Sequence, residues 1–100
     1  MNDGALRERL DRAARCLRVL AHPIRLQLIY LLGQGEQSVQ ELERQVQASQ
    51  SSVSQHLNLL RDKDIVESRR AAQQVFYRLK DPRVLQLTSL TKELFCKENL

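Results

Sequence analysis

The chain has no tryptophan, two cysteines, two prolines, three glycines and only four aromatic rings among its 100 residues. Two thiols cannot build the framework of several bridges that holds small secreted domains together, so the chain reads as cytoplasmic. No Gly-rich phosphate loop, G-x-S-x-G elbow or H-E-x-x-H pair occurs, which removes the usual signatures of nucleotide-binding, serine-hydrolase and zinc-protease chemistry. No cofactor or enzymatic activity is expected. Charge interrupts every apolar run, well short of the ~20 residues a membrane helix needs. The opening stretch alternates charge with leucine and lacks the unbroken apolar segment of a secretory signal. Membrane protein, secreted mini-protein and tail-like linker are excluded.

Leucine and arginine are plentiful. Apolar residues make up 42% of the chain, with 18 leucines, enough for one modest core at a size that buries somewhat over ~60% of the unfolded surface. Sixteen Lys+Arg face 12 Asp+Glu, for a net charge of +4, and 12 of the cations are arginine. Arginine presents a planar fork to phosphate or guanine, so the balance suits nucleic acid as well as a solvated basic surface. Arg7, Arg9, Arg12, Arg15 and Arg18 crowd one segment, interleaved with Glu8 and Asp11, and read as a solvated helix face.

No repeat or linker divides the chain, so residues 1–100 read as one domain. Leu6, Leu10, Ala13, Ala14, Leu17 and Leu20 recur at helical spacing and predict a first helix over about 5–20. Pro23 suits the first turn of a second helix, whose stripe is Ile24, Leu28, Leu31 and Leu32 and whose end is Gly33-Gln34-Gly35. Ser38-Val39-Gln40-Glu41 is a capping box opening a short helix with Val39, Leu42 and Val46 inward. A polar break at 47–49 precedes a fourth helix from Gln50 to about Asp62, with Val53, Leu57 and Leu60 on one side and Ser51, Gln55, Asn58 and Asp62 on the other.

The period then changes. Residues 65–70 and 74–79 are rich in β-formers, with Ala71-Ala72-Gln73 between them, and read as a hairpin of undetermined turn type. Asp81-Pro82 suits the cap and first position of a last helix over about 82–97. The prediction is mainly α with a small β-hairpin, in the order α-α-α-α-β-β-α: a helix-turn-helix over about 38–62 and a wing over about 65–79. The outer helices carry more apolar surface than so small a core can cover. They are expected to pair with a second copy in a two-fold dimer; a monomer with a thicker core is the alternative.

Small and amide side chains at a helix's leading end let the backbone approach DNA and pair with base edges or phosphates. Gln50, Ser51, Ser52, Ser54 and Gln55 supply them, with nothing acidic on that helix before Asp62. Arg69, Arg70, Gln73 and Gln74 form the wing's rim, suited to a flanking minor groove or backbone or simply to blocking edge-to-edge aggregation. Arg61 and Lys63 sit where phosphate contact is expected. A protein-interaction module is the reading of a different class, with Leu59 as its one apolar anchor on the fourth helix.

The runs Leu20-Ala21-His22-Pro23-Ile24-Arg25-Leu26, Ser49 to Leu57 (SQSSVSQHL) and Val75-Phe76-Tyr77-Arg78-Leu79 resemble the ArsR/SmtB family of winged-helix repressors over about residues 14–96. The resemblance implies a homodimer that binds an inverted-repeat operator, reads bases with the leading end of the fourth helix and is released by an inducer. Neither metal site that the resemblance implies is matched: in the third helix Gln40-Glu41-Leu42-Glu43 holds no Cys for the thiolate site, and the last helix holds Asp81 but no His for the zinc site. No metal is expected, and His22 and His56 read as isolated structural residues.

Cys96 resembles the late cysteine of the family's sulfide- and persulfide-responsive branch, whose partner cysteine falls here at Tyr30. A dithiol would therefore need the displaced Cys16. Redox or persulfide sensing at Cys16 and Cys96, with a small reactive sulfur species or oxidant as inducer, stands beside two alternatives: two core-lining thiols with a different inducer, or no inducer at all.

Overall fold

A computed structural model of the chain describes residues 3–96. In chain order the elements are α1 (Asp3–Leu20), α2 (Pro23–Leu32), β1 (Gln37–Ser38), α3 (Val39–Gln45), α4 (Gln50–Asp62), β2 (Val66–Ala71), β3 (Gln74–Leu79) and α5 (Arg83–Phe95). This is a winged helix-turn-helix with one element more than the sequence reading expected: β1 adds to the hairpin to make an antiparallel sheet ordered β1-β3-β2. The expected end of the last helix at residue 97 lies outside the described residues.

Capping fixes the helix starts. Both bonds of the capping box are made: Glu41 N–H donates to Ser38 Oγ at 3.1 Å and Ser38 N–H to Glu41 Oε1 at 2.9 Å. Hydrogen bonds from the Ser38 N–H and from its hydroxyl hold the Glu41 carboxyl below its usual range. Ser49 Oγ accepts from Ser52 N–H at 3.2 Å and starts α4. Helix α5 begins at Arg83, one residue after its expected start, yet Asp81 still does a cap's work by accepting from Arg83 N–H at 2.9 Å. The Arg83 side chain joins it and draws the Asp81 carboxyl down to about 2.

The core lies where α2, α3 and α4 meet the sheet. Leu28, Ile29, Leu42, Val53, Leu57, Leu60 and Val66 are fully buried. Ile29 was missing from the expected α2 stripe and displaces the half-buried Ile24 and Leu31 from its centre. Helix α5 leans on α2 at Gly33, where an added Cβ would come within 2.6 Å of Leu85 Cδ2. Gly33 is thus kept small by close approach, while Gly35, at φ +139°, makes the turn after the helix.

The hairpin turns through Ala72 and Gln73 alone, since Ala71 pairs with Gln74. Both turn residues have positive φ, 50° and 65°, as a two-residue type I′ turn requires. The geometry that normally calls for Asn-Gly is here imposed on residues with a Cβ, at roughly 1–2 kcal/mol each. The double substitution A72N/Q73G should therefore raise stability by about 1–2 kcal/mol, read as a higher urea midpoint with unchanged slope. An unchanged or lower midpoint would show the turn to be unstrained.

The outer helices behave differently from the core. Only Val19 and Leu20 of α1 are buried, and no residue of α5 is. Leu10 and Leu17 are 55% and 52% exposed, Leu90 and Leu94 52% and 57%. Within the single chain, both helices keep an uncovered apolar ridge.

Candidate nucleic-acid interface

At about 100° per residue, α4 buries Val53, Leu57 and Leu60 and divides its remaining surface into three strips. Ser51 and Gln55 lie exposed along the outer edge. Gln50, Ser54 and Arg61 occupy the flank towards the wing, where they line a cleft of about 450 Å³ between α3, α4 and the hairpin. Ser52, half-buried, lies on the other flank beside His56 and faces away from that cleft.

Gln73 reaches the same cleft from the wing tip, as does Gln74. Four of the expected DNA-contacting residues, Gln50, Ser54, Arg61 and Gln73, thus converge on one concavity. Gln40, Glu43 and Asn58 also line it. Asn58 was placed on the outer face of α4 by its spacing, but Gln40 and Glu43 belong to α3. Only the α3–β3 arrangement, which no local spacing reveals, brings them in.

Arg69 and Arg70 do not share a rim. Successive strand residues point to opposite faces, and the register pairs Arg70 with Val75 but Arg69 with Phe76. Arg70 therefore lies on the face that carries Val75 and Tyr77, both of which line the cleft. Arg69 lies on the back. Its guanidinium donates to both Glu36 oxygens, at 2.9 and 2.6 Å, and sits 4.7 Å over the Phe76 ring. This pairing holds the Glu36 carboxyl below its usual range. Arg69, expected at the DNA, pins the wing to the segment before β1, whereas Arg70 is exposed and makes no ion pair among the described residues.

Both cysteines are free and exposed. Cys96 closes α5, its N–H donating to Lys92 O at 2.8 Å, and lines an apolar groove of about 390 Å³ between α2 and α5. Tyr30 lines the same groove, with Leu26 and Phe95. The position that resemblance assigned to the second thiol thus shares the groove with Cys96 and holds a phenol, while Cys16 lies on α1, outside the groove lining. No group of three or more His, Cys, Asp or Glu side chains among the described residues is placed to hold a metal ion. No described helix is long and apolar enough to cross a membrane.

Residues 22–68 match the family model described as bacterial regulatory protein, arsR family. The crystal structure of the transcriptional repressor BigR from Xylella fastidiosa is 41% identical, superposes with a TM-score of 0.81 and is matched over 96% of this chain and 98% of that one. The transcriptional activator HlyU of Vibrio cholerae is 36% identical over 99 residues, 99% of this chain and 92% of that protein. A solution structure from Mycobacterium bovis, described as a homodimeric winged helix-turn-helix DNA-binding domain, is 30% identical with a TM-score of 0.79, covering 94% of this chain and 86% of that one.

Proposed function

The chain belongs to the arsR family of bacterial regulatory proteins, and on that premise we propose that it is a homodimeric repressor whose two α4 helices read an inverted-repeat operator. The convergence of Gln50, Ser54, Arg61 and Gln73 on one cleft carries this reading. Ser51 and Gln55, exposed beside the cleft, supply base-reading groups. The cleft between a recognition helix and its wing suits a sugar–phosphate strand, contacted by Arg61 and the amides of Gln50 and Gln73.

The dimer rests on the uncovered ridges of α1 and α5. Each leucine removed from water there contributes on the order of 1–3 kcal/mol, and two-fold pairing suits a ridge that meets its own copy. In this division of labour residues 38–62 read, residues 65–79 form the wing and the outer helices clasp the partner. The protein-interaction reading loses support because Leu59 is the one large exposed apolar side chain of α4.

Wing arginines separate the electrostatic part of binding. Arg70→Ala should weaken binding to any duplex and lower the slope of log K against log salt by about 0.9, as for one lost phosphate contact. Arg69→Ala should leave that slope alone and lower thermal stability instead, because its charge is spent on Glu36. Titration of a fluorescent duplex at several salt concentrations decides it; equal slope changes for the two variants would return Arg69 to the DNA face.

We further propose that Cys96 is the inducer-responsive residue, since it opens on the α2–α5 groove that joins the reading domain to the clasp. Its thiolate would attack a sulfane sulfur, keeping one sulfur atom as a persulfide and leaving the donor one sulfur shorter. With Tyr30 opposite, no second thiol of the groove closes a disulfide, so the expected product is a persulfide at Cys96 or a bridge to Cys16. Polysulfide should release the wild type from DNA and leave Cys96→Ser bound. Equal release of both proteins, or of neither, would assign the inducer to other chemistry.

A further inference from the structure

His22 and His56 are far apart in the chain yet meet in the fold, their ring centroids 4.4 Å apart and tilted by 45°. His22 is the N-cap of α2: its Nδ1 accepts from Ile24 N–H at 3.1 Å, which requires that nitrogen to carry no proton. His56 stands on α4, one residue after Gln55 and one before the buried Leu57. Arg25, in the first turn of α2, has its Nε buried with no acceptor among the described residues. The titratable and charged groups that face His56 are His22, from the link between α1 and α2, and Arg25, from α2. No carboxylate pairs with any of the three among the described residues.

Three basic groups thus share a junction without a counter-ion, beside a helix N-terminus that is itself electropositive. The junction joins α2 to the reading helix. A proton on His56 sets a cation against Arg25 and against the His22 ring that caps α2. We propose that the His22–His56 contact is a proton-operated latch between α2 and α4, closed while the His56 ring is neutral and opened by its protonation, so that acidification loosens the reading helix and its grip on DNA. The effect on DNA rests on the operator-binding reading above; the effect on the fold does not.

Burial, His22 and Arg25, in that order, hold the His56 imidazole below its ordinary value. The sign follows. Near and below pH ~6.5 the unfolded chain binds more protons at this residue than the folded one, so stability is full above that pH and drains away as the pH falls through it.

The test compares the full chain with His22→Asn, in which asparagine keeps a capping oxygen but removes the ring that meets His56, with His56→Gln, and with the double variant. Thermal unfolding without DNA, and affinity for an operator selected from random duplexes, are measured at about pH 7.5 and 5.5, which bracket the ordinary imidazole value. The wild type should lose several degrees of midpoint and severalfold in affinity on acidification. The double variant should lose less than half of either, and His22→Asn alone should fold and show an intermediate response. Parallel acid losses in wild type and double variant, in either measurement, overturn the latch. A midpoint that responds in the wild type alone, with no duplex bound at either pH, overturns both the reading of α4 as an operator reader and the latch's effect on DNA, and leaves the junction as a device of the fold.

Discussion

The double variant Leu90→Asp with Leu94→Asp should be a folded monomer that has lost operator binding by a factor of roughly 100 or more. Two recognition helices held at one spacing convert the second half-site contact into an intramolecular event, and separating them forfeits the 10²–10⁴ that such linkage gives. Neither leucine is part of the core, so the substitutions spare α2, α3, α4 and the sheet. Sedimentation velocity gives the mass, circular dichroism the fold, and fluorescence anisotropy the affinity. A variant that remains dimeric would move the clasp off α5. One that is monomeric yet binds the operator as tightly as the wild type would show that the reading heads act singly.

Gln55→Ala should cost on the order of 1–3 kcal/mol per half-site, or about 5- to 150-fold, and only against operators that keep the base it pairs with. Gln55 is exposed on the outer edge of α4, and an amide there can donate and accept together across an adenine edge. Ser52→Ala is the matched control, since Ser52 is half-buried and does not line the cleft. It should change affinity by less than twofold. Competition binding against single-base operator variants reads the difference: Gln55→Ala should flatten the preference at one position of each half-site. An unaltered preference profile would place base readout elsewhere on the helix.

Local chemistry made much of this fold legible. Ser38 caps the helix it was expected to cap, because a hydroxyl three residues before a free N–H needs no tertiary context. Val53, Leu57 and Leu60 went inward because their spacing leaves an amphipathic helix no other choice. The apolar ridges of α1 and α5 were visible as leucine in excess of what the core could hold.

Features that join distant segments were not legible. Strand β1 is two residues long, too short for any alternation to announce it, and exists because Gln37 and Ser38 lie against Tyr77 and Phe76. Adjacent arginines read as one rim until the register sent Arg69 to Glu36 and Arg70 to the cleft side. The turn at Ala72-Gln73 was hidden because the residues that normally mark positive φ are absent. Two histidines that looked isolated in sequence are neighbours in space. In each case the missing information was a partner remote in the chain, and pairing over that distance follows from packing.

The most direct measurement is selection of bound sequences by the wild-type protein from a pool of random duplexes. The expected result is enrichment of two inverted half-sites whose centres are about 10 base pairs apart, one turn of the double helix. A pool that shows no enrichment, or that yields single half-sites without symmetry, would contradict it.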